Sequence, residues 1–365
     1  MHDLSKRYWR VKYTLSVIEI IYILVLLFVF LNTGSSRYLS CYILNLIKIK
    51  PIVIAAYLFL LYFVYFLLIF PLYFYRSFIL EHKYSLSNQK LLHWFEDSLK
   101  AGVIFYILSL ILIELFYFSL SYSQKNWWLF ISFFWIFLNI VLARILPIYI
   151  IPLFFKYKKF TDENLRKYVF EIAKKMGIQI LDIFEIDLSK KTLKANAAFL
   201  GLGKTRRVIL ADTLKDKYTK EEIGVVLAHE FAHYRSAHIL KLLMMEAISI
   251  IFNFYFIFKT SNLFLKRYGF LSLNELGSMP IIFIYLILWE IVITPFKNFI
   301  SRIFERNADI LAIRTTGLKD TFICLMDKLA RQNLSDRRPH PIIKIFFFDH
   351  PPIEERIDLA KNLKY

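Results

Sequence analysis

"IVIAAYLFLLYFVYFLLIFPLYFY" (residues 52–75) holds 24 residues without a charge or a side-chain amide. Wound as a helix at 1.5 Å per residue, it reaches about 36 Å, more than the ~30 Å hydrocarbon core of a bilayer. Five more runs are mainly apolar and long enough to cross, each with one or a few polar residues: 16–32 ("SVIEIIYILVLLFVFLN"), 101–120, 127–154, 238–259 and 279–300. The chain therefore reads as mainly α, a multi-span transmembrane helical bundle or barrel of about six spans. The first run is too long for a secretory leader and no small-residue cleavage site follows it, so it is expected to be a retained span. Pro147 and Pro152 predict a kink or an early exit in the fourth. "SRYLSCYILNLIKIK" (36–50) is apolar but short and basic, and reads as an interfacial segment.

The formal charge of +18 does not point to nucleic acid, because most basic residues flank the apolar runs, where they orient the chain and meet anionic head groups. No nucleic-acid module is present in the pattern, and no such partner is expected. Two cysteines, Cys41 and Cys324, exclude a disulfide framework or a cysteine zinc cluster. Lys6, Arg7, Arg10 and Lys12, then Arg76, Lys83, Lys90 and Lys100, and the basic stretch 155–237 fall on one side of the membrane. The alternate connections carry fewer cations, which predicts cytoplasmic termini and a cytoplasmic 155–237.

Four regions follow: N-terminal membrane helices over 1–154, a cytoplasmic α+β insert over 155–218, a catalytic region over 219–309, and a helical segment over 310–365. Within the insert, "DENLRKYVFEIAKKMG" (162–177) spaces Leu165, Tyr168, Val169 and Ile172 as one helical face and stops at Gly177. "IQILDIFEI" (178–186), "NAAFLGLG" (196–203) and "RRVILAD" (206–212) read as strands.

The chemistry gathers in "VLAHEFAHYRSAHI" (226–239). Thr219 and Glu222 form a capping box that starts this helix. His229 and His233, four apart, project one turn above the other from one face, as two imidazoles sharing one zinc ion require. Glu230, beside the first, reaches a water on the metal rather than the metal itself. One known continuation, His-x-x-Gly-x-x-His, would need glycine and histidine where Ser236 and Ile239 stand. His238 is one residue out of register and reads as an interfacial residue at the start of the fifth span. The other pattern takes a glutamate from a separate helix. "SRIFERNAD" (301–309) offers Glu305, with Asp309 four residues on to take a ligand histidine's N–H. Alone, that stretch reads as a solvated helix face. The two spans between His233 and Glu305 return the chain to the membrane face it left, which favours the ligand.

These residues, with "NQKLLHWFEDSLK" (88–100), "IIPLFFKYKKF" (150–160), "NAAFLGLGKTRRVILADTL" (196–214) and "DHPPIEERI" (349–357), resemble the membrane-integral zinc metalloproteases called type I CAAX prenyl proteases. The resemblance implies a helical barrel around a water-filled chamber with the zinc site facing inward. It implies one zinc per chain on His229, His233 and Glu305, and Glu230 as catalytic base. It further implies that Asn196 aligns substrate and that His350 and Arg356 lie near the metal. Eukaryotic members carry seven spans, and this chain is expected to start in the family's second. Read by themselves, His350 is an oxyanion donor or a helix-entry residue fixed by Pro351 and Pro352, Arg356 pairs with an acid or is solvated, and "NAAFLGLG" is a peptide-binding edge or a plain strand. Glu19, Glu114, Glu246 and Glu290 lie in spans and must face protein or water, with Arg144 as a candidate partner.

The expected function is an integral-membrane zinc endopeptidase acting on a peptide or protein, membrane-associated or lipidated. It is expected to be multi-pass in a bacterial inner membrane (the endoplasmic reticulum if eukaryotic), with its active site towards the cytoplasm. Two other readings stay open: a quality-control protease for membrane proteins without a prenylated substrate, and a transporter or scaffold with a relict metal site. The second gives no reason for an intact Glu230.

Overall fold

A computed structural model describes residues 2–200 and 207–364. Six helical stretches are long and apolar enough to cross a membrane: 3–32, 50–83, 91–122, 127–153, 238–268 and 276–316. Before the insert come α1 (His2–Asn32), α2 (Ser35–Leu46), α3 (Lys50–Phe74), α4 (Leu80–Lys83), α5 (Leu91–Tyr122) and α6 (Trp127–Ile145). The segment read as interfacial is α2, tied inward by Ser36, which donates to the Gly277 carbonyl and meets the Tyr57 hydroxyl at 2.6 Å.

The proline positions act on the helices as their missing N–H dictates. Pro147 falls in a π turn (Leu146–Ile150) and Pro152 in a 3₁₀ turn (Ile151–Leu153), so the fourth span loosens, then tightens, before the chain leaves for the insert.

The insert contains β1 (Tyr157–Lys159), α7 (Glu163–Lys175), β2 (Asp182–Ile186), β3 (Ala197–Leu200), β4 (Arg207–Ala211) and α8 (Asp212–Lys215). The sheet runs β1-β2-β4-β3; β2 and β4 are parallel, and β3 lies antiparallel to β4 with Ala197 opposite Leu210. β2 is shorter than its apolar run, residues 178–181 preceding it; Gly201–Gly203 and Arg206 of the other two runs lie outside the described residues. β1 was not among the expected strands. Its three residues include two exposed lysines and carry no alternation to detect.

The remaining helices are α9 (Lys220–Arg235), α10 (His238–Tyr268), α11 (Met279–Thr316), α12 (Lys319–Gln332), α13 (Pro341–Phe347) and α14 (Ile353–Asn362). α11 does not stop at the membrane boundary but continues as one helix to Thr316, carrying Glu305 and Asp309. A single apolar core joins α7, the sheet, α9, the end of α11, α12 and α14. Ala228 and Ala232 of α9 and Ala308 and Ala312 of α11 are fully buried in it. With only methyl groups at these positions the two helices approach closely, which brings their polar side chains together. Gly224 serves the same end on the opposite side. A β-carbon there would stand 2.5 Å from the Tyr168 ring, so α7 packs directly on the α9 backbone. Phe231 is fully buried beside it, and such a side chain contributes about 2–3 kcal/mol of transfer free energy.

Candidate metal centre

α9 begins at the box its sequence encodes: Thr219 Oγ1 accepts the Glu222 N–H at 3.2 Å, and a Glu222 carboxylate oxygen accepts the Thr219 N–H at 2.8 Å. Ten residues beyond Thr219, His229 faces His233 with their Nε2 atoms 3.1 Å apart. Glu305 on α11 closes the triangle, its two oxygens each 3.2 Å from one of those nitrogens. A tetrahedron with bonds near 2.1 Å has edges of about 3.4 Å, so three donors at this spacing fit a zinc ion with one open position. One of the Glu305 oxygens is buried without a hydrogen-bond donor, a cost that a cation at the cluster removes. Cys41 and Cys324 are both exposed and take no part.

Around the cluster the side chains are ordered by charge. Asp309 is fully buried and lies 2.9 Å from His229 Nδ1, off the line of an ideal hydrogen bond. Arg356 of α14 grips the same carboxylate with Nε at 2.8 Å and a terminal nitrogen at 2.6 Å. That fork is the geometry a guanidinium and a carboxylate share. Of the two readings of Arg356, paired with an acid or solvated, the structure shows the first, with Asp309 as the acid. His350 stands between α13 and α14, its Nε2 3.3 Å from Glu305 and its Nδ1 2.8 Å from Asp349. The segment before it is pinned by α11: Arg302 donates to the Lys344 and Phe348 carbonyls, Asn298 to those of Ile345 and Phe346.

Glu230 is half-buried on the other side of His229. Burial pushes its carboxyl above the ordinary glutamate range; the two histidines oppose this and the Glu305 charge adds to it. Burial also disfavours charge on His229, but the Asp309 and Glu305 carboxylates outweigh it and lift its pKa to about 9. His350 is raised as well: burial opposes its charge, and the Asp349 contact prevails.

Asn196 stands exposed at the head of β3, its carbonyl accepting the Ala211 N–H at 3.2 Å. β3 crosses the motif helix, with the Phe199 ring edge-on to Phe231 at 5.1 Å and to Tyr234 at 5.5 Å. Among the described strands it is one of the two outer ones, with β4 on one side only. Of the acids within spans, Glu19 meets Arg76, and Glu246 and Glu290 share Lys297 at 2.8 and 3.0 Å. These cations, not Arg144, are their partners. Lys297 and Glu246 border a groove of about 370 Å³ between α10 and α11 that also includes Leu243, Met245 and Asp349.

His238 is the first residue of the fifth span's helix, as read, but it does more than begin it: it is 2% exposed, its Nδ1 lies 3.1 Å from His233 Nδ1, and its ring stacks flat on Phe304. A register count tests for a metal ligand and is blind to a partner of one.

Multiple membrane spans and a buried His-His-Glu cluster beside a free glutamate define a membrane-integral metalloenzyme of the His-Glu-x-x-His type. Comparison with known proteins gives the particular family. Residues 159–364 match peptidase family M48, and residues 1–156 match the CAAX prenyl protease N-terminal region of five membrane helices. The chain belongs to peptidase family M48. It is 27% identical over 283 residues to the uncharacterized metalloprotease YhfN of Bacillus subtilis, covering 76% of this chain and 66% of that protein. It is 28% identical over 306 residues to CAAX prenyl protease 1 of Saccharomyces cerevisiae, covering 79% and 67%. The chain thus spans about two thirds of the length of these relatives. Among solved structures, S. mikatae Ste24p superposes over 98% of this chain and 88% of its own with a TM-score of 0.87 at 24% identity, a likeness of fold.

Proposed function

We propose that the chain is an integral-membrane zinc endopeptidase, with His229, His233 and Glu305 holding one zinc ion and Glu230 acting as general base. The observation that carries this is the triangle of donors 3.1–3.2 Å apart with a fourth, non-ligand carboxylate on the adjoining residue. Zinc at this cluster would polarise the scissile carbonyl and make a water proton acidic. Glu230, its affinity for protons raised by burial, takes that proton and delivers it to the leaving amine. His350 donates to the oxygen that becomes charged, from its position against Glu305. Asp309, steadied by Arg356, holds His229 in the tautomer that presents Nε2. An extended peptide adds to the outer edge of β3, where Asn196 orients it over the motif helix.

In this reading the zinc site faces a chamber within the spans and is reached from the cytoplasmic side, which the cations of 1–12, 76–100 and 155–237 support. The substrate is a peptide or protein at the membrane. Relatives named CAAX prenyl proteases support a lipidated one, and the likeness to a Bacillus metalloprotease supports a bacterial inner-membrane setting. The test is cleavage of a flexible polypeptide by detergent-purified protein containing one equivalent of zinc. Removal of zinc by a chelator abolishes cleavage and its return restores it. Turnover indifferent to the chelator would refute the reading.

A further inference from the structure

We infer that His238 is the positioning residue of His233, the counterpart for the second ligand of what Asp309 is for the first. The inference rests on the metal reading above and extends it to a residue outside the motif. Three observations carry it. His238 Nδ1 lies 3.1 Å from His233 Nδ1, so one of the two nitrogens bears the proton and the other accepts it. The ring of His238 lies 4.5 Å from that of Phe304 at an angle of 7°, and Phe304 precedes the ligand Glu305. Ala237, which joins α9 to α10, has φ of 52° and ψ of 34°, a left-handed conformation that an L side chain rarely adopts. That one residue turns the chain back so that His238 meets His233, and strain of this kind persists where the surroundings require it.

The direction of the hydrogen bond follows from the ligand atom. His233 presents Nε2 to Glu305 and to His229 Nε2. A neutral imidazole that binds a metal through Nε2 carries its proton on Nδ1. His233 Nδ1–H therefore donates, and His238 accepts through a bare Nδ1 with its own proton on Nε2. The opposite assignment would put a proton on His233 Nε2 and end its service as a ligand. The two ligands are thus held by unlike partners. The carboxylate of Asp309 lends His229 negative charge, whereas the neutral ring of His238 fixes the plane of His233 without adding any. The site stays less anionic than a carboxylate on each histidine would make it, and the ligand is still aimed.

The experiment compares zinc affinity, by chelator competition in detergent, for wild type, His238→Phe and His238→Asn. Phenylalanine keeps the flat ring on Phe304 and removes the acceptor. Asparagine places its Oδ1 near the position of Nδ1 and restores it. Loss of a partner that orients a ligand typically weakens metal binding 10–100-fold. His238→Phe is expected to show a loss in that range, and His238→Asn to recover to within about threefold of wild type. Equal losses in both would reduce His238 to packing, and an unchanged His238→Phe would overturn its role outright. Should His238→Phe not fold, nitrogen-15 histidine spectra of the zinc-loaded wild type decide. A bare Nδ1 on His238 supports the assignment, and a protonated one overturns it. A wild type that bound no zinc would refute the metal reading itself, and this inference with it.

Discussion

Asp309→Asn changes one charge and almost no volume at the most buried point of the site, and its consequences can be worked through. Asp309 offers two oxygens to three donors: His229 Nδ1 at 2.9 Å and the Arg356 fork at 2.6 and 2.8 Å. An amide replaces one oxygen with a group that donates, so either His229 or one arm of Arg356 then faces a donor. Breaking a buried ion pair by removing one charge costs about 3–5 kcal/mol. The Arg356 side chain keeps one acceptor and is 12% exposed, which places the cost near the lower end, about 3 kcal/mol. Zinc affinity is expected to fall 10–100-fold as His229 loses its orienting charge. Chelator competition measures the second effect, and thermal unfolding of the metal-free protein measures the first. Wild-type values in both would refute the view that Asp309 organises the site. Arg356→Leu in the Asp309→Asn background separates positioning from substrate contact. If Arg356 acts through Asp309 alone, the double variant loses no more kcat/KM than Asp309→Asn. A further rise in KM would put Arg356 on the substrate instead.

Three other consequences are open to direct measurement. The metal-free His229 holds its proton up to about pH 9, so zinc must displace it. Apparent zinc affinity should rise about tenfold per pH unit from 7 to 9 and level off above, and a flat profile over that window would contradict the assignment. The same raised pKa stabilises the metal-free fold fully below the ordinary histidine value and ceases to do so as pH passes about 9, so metal-free protein should unfold more readily at alkaline pH. Thr219→Ala removes the cap of the motif helix and should cost about 1 kcal/mol with little change in kcat, read by thermal unfolding; no shift would show that the cap contributes nothing there.

What the sequence made legible was what recurs with a period or a length. The apolar runs announced the six spans because a bilayer imposes a minimum length on any helix that crosses it. The capping box of α9 and the four-residue step from His229 to His233 were legible because a helix fixes both geometries. What escaped depends on the path between elements. His238 reaches His233 through one left-handed alanine, a conformation that alanine does not advertise. The sharing of Arg356 with Asp309 across 47 residues depends on how α14 packs on α11, which no local pattern encodes. β1 is held by pairing with β2 rather than by a face of its own, Tyr157 standing opposite Ile186 and Lys159 opposite Phe184. The continuation of α11 through Thr316 went unread because its apolar content ends near residue 300 while its helix does not. Beyond that point the helix is stabilised by Ala308, Ala312 and Ile313 in the core of the insert rather than by lipid.

The claim on which the rest depends is that Glu230 is the base of a zinc-dependent peptide hydrolysis. The most direct test compares wild type with Glu230→Gln at equal bound zinc, using one flexible polypeptide and the same detergent. Glutamine keeps the length of the side chain and leaves His229, His233 and Glu305 untouched, but it cannot take a proton. The account predicts zinc bound in both and turnover only in the wild type, with the variant slower by at least 10²–10⁴-fold, the range a positioned base contributes. Equal turnover in the two proteins would contradict it.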